Sequence, residues 1–177
     1  MTTFDNYSNW MQGRAFGKKA VLDSYNRTFS NDEASAFDKN DRKRLKDNLL
    51  QNIVSIVEEN PNVQFYMFIP PYSICWFDEH IKDGSMQELF SAMEYEIELL
   101  TPYKNVHLFS FFDAYDVVLD LDNYCDNGHY GEWVNSQILQ WMNNGEHQLT
   151  SENFKLFCSQ VKDFYLNYDY DTILKNN

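Results

Sequence analysis

The chain has no CxxC pair, and its three cysteines, Cys75, Cys125 and Cys158, stand far apart. Neither a disulfide scaffold nor a zinc knuckle therefore has support, and one disulfide stays open. No apolar run approaches the roughly 20 residues that cross a bilayer, and the opening MTTFDNYSNW lacks the basic and apolar segments of a secretion signal. As it stands the chain reads as soluble, with its compartment open. Basic residues are scarce: 14 Lys and Arg face 27 Asp and Glu, for a formal charge of -13. Such a field repels phosphates and anionic lipid, so nucleic acid and membrane surfaces are poor first partners. Lys18, Lys19, Arg42, Lys43, Arg44 and Lys46 form a local basic group, but Asp38, Asp41 and Asp47 interleave with the last four, as on a solvated helix face. Internal repeats and low-complexity tracts are absent.

Apolar material is plentiful. Hydrophobic residues make up 44% of 177 positions, with 14 Phe, 12 Tyr and 4 Trp, enough for one domain with a substantial core. Residues 1–40 lack a sustained period and read as an extended or irregular arm, with one short helix around 18–25. From 41 to 59, Leu45, Leu49, Leu50, Ile53, Ile56 and Val57 recur at helical spacing up to the break at Asn60-Pro61. Val63 to Ile69 is almost continuously apolar, as in a strand covered on both faces, and Pro70-Pro71 ends it. Residues 73–84 read as a linker. A second helix fits SMQELFSAMEYEIELL, a second strand Val106 to Phe112, and two further helices YGEWVNSQILQWMNNG and TSENFKLFCSQVKDFYLNY. In the last, Thr150 or Ser151 is the expected cap. A full capping box is not expected, because the residue three after Thr150 is Asn153. Helix, break, strand, twice over, predicts an α/β class with a mostly parallel sheet. Two strands make too little sheet for a complete doubly wound domain, so residues 41–177 read as the carboxyl-terminal part of one.

The chemistry concentrates in DLDNYCDNGHYGEW, where Asp126 and His129 stand three apart around Asn127-Gly128. A carboxylate can orient an imidazole while that imidazole takes a proton from a nucleophile. The same residues also suit a plain turn, with Asp126 and Asn127 capping it, Gly128 bending it and His129 packed against Tyr130 or Trp133. Ser73, just beyond the first strand, would complete a triad or merely end the Pro-Pro break; it lacks a Gly-flanked elbow. Tyr72, Trp76 and Phe77 near the strand end, with Tyr124, Tyr130 and Trp133 around the pair, could line a groove for a carbohydrate or acyl chain, or fill the core. The run Asp113, Asp116, Asp120, Asp122 and Asp126 lacks the spacing of a calcium loop. No metal and no cofactor is implied.

The block Asp126 to His129 before a late helix, with FYMFIPPYS and NVHLFSFFD upstream, resembles the SGNH (GDSL-like) hydrolase superfamily over roughly residues 40–145. The likeness is to its branch of cell-surface polymer acylation proteins, the D-alanyl-lipoteichoic acid and alginate acetylation families. The resemblance implies a flavodoxin-like three-layer fold. It also implies a serine-dependent esterase or acyltransferase acting on a surface polysaccharide or similar acylated polymer. His129 would be general base, Asp126 its orienter, and Tyr72, Trp76 and Tyr130 the substrate contacts. The nucleophile in that family follows the first strand in a Gly-Asp-Ser or Gly-Ser-Ser context. None occurs here: Ser8, Ser24, Ser30 and Ser35 have no preceding strand, which leaves Ser73 as the weak candidate. The implied partner is an acylated carbohydrate or small ester, and the parent protein of such a domain often carries a membrane anchor. The alternative is a noncatalytic carbohydrate-binding or protein-interaction module. An uncovered sheet edge would favour a homo-oligomer.

Overall fold

Residues 13–25 and 34–175 are described by the computed structural model. Helix α1 (Lys18–Ser24) buries Val21 completely. Its start is fixed by the Asp122 carboxylate, which accepts the Lys18 N–H at 2.9 Å, and by the Gly17 N–H, which donates to the Tyr124 carbonyl at 2.9 Å. Of the arm expected over residues 1–40, 1–12 and 26–33 lie outside the described residues; residues 17–24 pack on the rest of the chain.

Asp38 starts the long helical segment with a reciprocal capping box: its carboxylate accepts from Asn40 and Asp41 N–H, and Asp41 accepts from Asp38 N–H. Helix α2 (Lys39–Leu49) loosens into a π turn (Leu50–Val54) and resumes as α3 (Ser55–Glu59). The extra residue in the π turn rotates the apolar stripe. Leu49, Val54 and Val57 are buried, whereas Leu50 and Ile56, expected inside, are exposed at 42% and 49%. The basic residues here lie on solvated faces, with ion pairs Lys43–Asp47 and Arg44–Asp41.

Strand β1 (Phe65–Ile69) pairs in parallel with β2 (Val106–Ser110), from Phe65 opposite Val106 to Ile69 opposite Ser110. A two-residue β3 (Gln148–Leu149) adds antiparallel to β2, giving the order β1-β2-β3. The described chain is thus mixed α/β around a small, mostly parallel sheet. Strand β1 is not covered on both faces as its composition predicts. It lies at the sheet edge and alternates, with Phe65, Met67 and Ile69 half-buried and Tyr66 and Phe68 exposed. β3 is too short to leave a periodic signal.

The stretch read as a linker is helix α4 (Ile74–Lys82). Its inner face mixes Ile74, Cys75 and Phe77 with Asp78 and Lys82, all buried, and the two charges hid the amphipathic pattern. They are accommodated together: Lys82 Nζ lies 3.9 Å from Asp78 and 4.6 Å from the Tyr25 ring centroid, and the Tyr25 hydroxyl donates to Asp78. Helix α5 (Met86–Leu100) is central, packing against α2, α4, β2 and α8, with Met86, Phe90, Met93, Ile97 and Leu100 buried. Short α6 (Tyr115–Val118) and a 3-10 turn (Leu121–Asn123) lead to α7 (Glu132–Asn144), which ends on left-handed Gly145 at φ +73°. Before α8 (Phe154–Asn167), Thr150 Oγ1 accepts from Asn153 N–H at 3.3 Å while Asn153 Oδ1 accepts from Thr150 N–H at 2.8 Å. These two bonds close the turn ahead of the helix; the cap position is Asn153 rather than the expected Thr150 or Ser151, and it makes no side-chain capping bond, so α8 starts without a capping box, as its sequence argued. Helix α9 (Thr172–Lys175) ends the described chain. Phe77, Phe90, Phe112 and Tyr165 form an aromatic centre, with the Tyr165 hydroxyl donating to the Phe112 carbonyl. No helix among the described residues is long and apolar enough to cross a membrane.

Candidate functional site

The site lies beyond the carboxyl end of β1, where Pro70-Pro71-Tyr72 meets the loop 124–130. That loop is a tight hairpin: Tyr124 bridges Tyr130, and Cys125 N–H donates to the His129 carbonyl at 2.9 Å. Two bonds fasten it to the strand end. The Tyr124 hydroxyl donates to the Pro71 carbonyl at 2.7 Å, and Ser73 Oγ donates to the Asn127 carbonyl at 2.6 Å.

Asp126 organises the hairpin tip. One oxygen accepts the N–H groups of Gly128 at 3.0 Å and His129 at 2.8 Å, as in an Asx turn. The same carboxylate meets His129 Nδ1 at 2.8 and 2.9 Å, and Arg14 adds a contact at 3.2 Å. The turn bonds and the imidazole contact come from one carboxylate. Because a carboxylate only accepts, Nδ1 is assigned the proton. Burial works against charge on Asp126, but the two backbone N–H groups and the imidazole outweigh it and hold its carboxyl below the ordinary 3.8.

His129, its side chain 54% exposed, lines a cavity of about 650 Å³ with Tyr72, Trp76 and Tyr130. Tyr72 and Trp76 stack with ring centroids 4.3 Å apart. Gly128 lies against Tyr72, since a Cβ there would stand 3.8 Å from its ring. The geometry thus brings His129, Tyr72, Trp76 and Tyr130 to one cavity, with Asp126 directly behind the imidazole. Ser73 is elsewhere. It is fully buried at the head of α4, its hydroxyl is engaged with Asn127, and it does not line the cavity. Of the other aromatics considered, Phe77 and Tyr124 are core, while Trp133 is exposed and donates through Nε1 to Asn123.

The three cysteines are free and buried. Burial, aided by Asp126, pushes the Cys125 thiol up, and burial pushes Cys75 and Cys158 up to about 12, so none is a thiolate at neutral pH. Among the described residues no group of three or more His, Cys, Asp or Glu could hold a metal. The acidic run is spent singly: Asp120 accepts from Asp122 N–H, Asp122 from Lys18 N–H, and Asp113 pairs with His147.

Two features escaped sequence reasoning. Glu79 lines the cavity and accepts from Asn127 Nδ2 at 2.6 Å; burial raises its pKa, partly offset by Lys82 and the Asn127 bond. Only recognition of α4 as a helix would have placed it one turn beyond Cys75 and Trp76. The second is another Asp-His pair, Asp113 Oδ1 with His147 Nδ1 at 2.7 Å. His147 sits at φ +60°, and the bond to Asp113 is the main cause of its raised pKa. With the partners 34 positions apart, no local motif announces it. His107, by contrast, is the hydrogen-bonded sheet residue its strand suggests, bonded to Gln64 at 2.8 Å.

Compared with protein-family models, with curated proteins and with solved structures, the chain gives no match.

Proposed function

We propose that this chain carries the histidine-aspartate part of an SGNH-type acyl-transfer site, taking an acylated carbohydrate or small ester. The observation that supports it most is the Asp126–His129 dyad at a cavity walled by Tyr72, Trp76 and Tyr130. In this scheme His129 Nε2 removes the proton of an attacking hydroxyl, and Asp126 stabilises the imidazolium that forms. The aromatic walls hold the sugar or acyl portion, and Glu79, Asn127 and Asn135 offer polar contacts. The flavodoxin-like, SGNH-type arrangement of the domain is part of the same proposal. It draws on the parallel β1–β2 pair with the dyad beyond the carboxyl end of β1.

The described cavity lining contains no serine, threonine or cysteine. The acyl-accepting hydroxyl in the scheme is therefore a group from outside that lining. The test is hydrolysis of a small aryl acetate by the purified chain. It is assayed alone and mixed with a polypeptide carrying a strand followed by a Gly-x-Ser block, with His129→Ala as control. Turnover that disappears with His129→Ala supports the proposal; no turnover in either mixture overturns it.

The stacked Tyr72–Trp76 pair on the cavity wall favours a second reading as a carbohydrate-binding module. That reading expects saturable binding of an acetylated oligosaccharide that survives His129→Ala, with no ester turnover.

A further inference from the structure

Strand β1 ends the sheet, and among the described residues no backbone hydrogen bond is made on its outer side. Phe65 N–H donates to the Asn105 carbonyl at 2.8 Å and Phe111 N–H donates to the Ile69 carbonyl at 3.0 Å, so the odd-numbered residues of β1 bond toward β2. By the alternation of a strand, the N–H and C=O groups of Tyr66 and Phe68 point the other way. Among the described residues no strand lies there. The same edge shows Val63, Tyr66 and Phe68, exposed at 48%, 58% and 40%.

Proteins blunt such an edge with a lysine, a proline within the strand, a bulge or a covering element. β1 has no charge and no proline within Phe65–Ile69, and no charged residue occurs from Asn60 to Phe77. In a chain of net charge -13 this neutral strip is where a second, equally acidic copy can approach with least repulsion.

We propose that β1 pairs antiparallel with β1 of a second copy, about a twofold axis through Met67. This register sets Tyr66 opposite Phe68 of the partner subunit, and Phe68 opposite the partner's Tyr66. The outward N–H and C=O groups of both residues then close four hydrogen bonds. The two exposed aromatics form two cross-strand pairs, and the two sheets become one of six strands. A fully exposed aromatic side chain offers about 200 Å², and at exposures of 58% and 40% the four aromatics of the two copies bury roughly 400 Å² in total, well below the ~1,200 Å² of a standard stable complex. The dimer is consequently weak and concentration-dependent. This inference is independent of the acyl-transfer reading.

Sedimentation velocity on the full chain from about 10 μM to about 1 mM, a range that covers weak association, tests it. The expected result is a mass rising from one chain toward two, with the midpoint moved at least tenfold higher by Tyr66→Lys or by Phe68→Lys. Circular dichroism checks that each variant folds. Amide exchange in the wild type gives a second, mutation-free readout: the Tyr66 and Phe68 N–H groups become protected as concentration rises. A chain that stays monomeric throughout overturns the proposal. So does a dimer indifferent to both substitutions, or protection of these two amides already complete in dilute solution.

Discussion

Asp126→Ala tests the hairpin tip as a structural unit. The carboxylate accepts two backbone N–H groups and the imidazole within 3.0 Å, and its side chain is 22% exposed. Losing the two backbone bonds resembles losing a helix cap, about 1–2 kcal/mol. The imidazole bond adds about 1 kcal/mol after allowance for solvent around a half-exposed histidine. The Arg14 contact, at 3.2 Å between exposed groups, adds little. The sum of about 2–3 kcal/mol lowers the melting temperature by about 4–12 °C for a chain of this size. Asp126→Asn keeps one acceptor oxygen and loses about half of that. Because the carboxyl is held below its ordinary 3.8, the stabilisation it gives is fully present above that value and fades as pH falls through the folded-state pKa. The gap between wild type and Asp126→Asn should therefore shrink as pH falls below about 4. Thermal denaturation by circular dichroism across this range is the assay. Melting of Asp126→Ala within 1 °C of wild type at pH 7 would refute the reasoning.

Other substitutions separate structure from chemistry. Ser73→Ala removes the buried donor to the Asn127 carbonyl and should cost about 1–3 kcal/mol in urea denaturation. Any ester turnover should persist, whereas a nucleophilic Ser73 would lose all of it. Lys82→Ala removes a buried cation 3.9 Å from the Asp78 carboxylate and should cost about 3–5 kcal/mol; Asp78→Ala added to it should recover part, as a double-mutant cycle can show. His147, its pKa raised by Asp113, stabilises the fold fully below its unfolded value near 6.5, and this is lost as pH rises through the folded-state pKa. The stability gap between wild type and His147→Gln should be larger at pH 6 than at pH 9 in parallel urea titrations.

What the sequence made legible follows from how local each signal is. The stripe Met86, Phe90, Met93, Ile97 and Leu100 repeats within one helix and marks α5 directly. The Asp126–His129 pair was visible because its partners are three residues apart in one hairpin. Helix α4 was missed because Asp78 and Lys82 occupy its buried face, and their compatibility depends on Tyr25, more than 50 residues earlier in the chain. β1 read as doubly covered because composition registers apolarity, whereas covering depends on which elements pack on each face of the sheet, and Tyr66 and Phe68 are left exposed on one of them. Ser73 illustrates the same limit. Its place after the strand allowed a nucleophile, and only the fold reveals that its hydroxyl holds Asn127. Glu79 and the Asp113–His147 pair are joined to their partners by tertiary packing alone.

The measurement that bears most directly on the proposed function is the rate of aryl acetate hydrolysis by wild type and His129→Ala, each mixed with the Gly-x-Ser polypeptide. A general base contributes about 100-fold or more. The account predicts a wild-type rate above the uncatalysed background and a loss of at least that factor in kcat/KM with His129→Ala. Equal rates for the two proteins would contradict it.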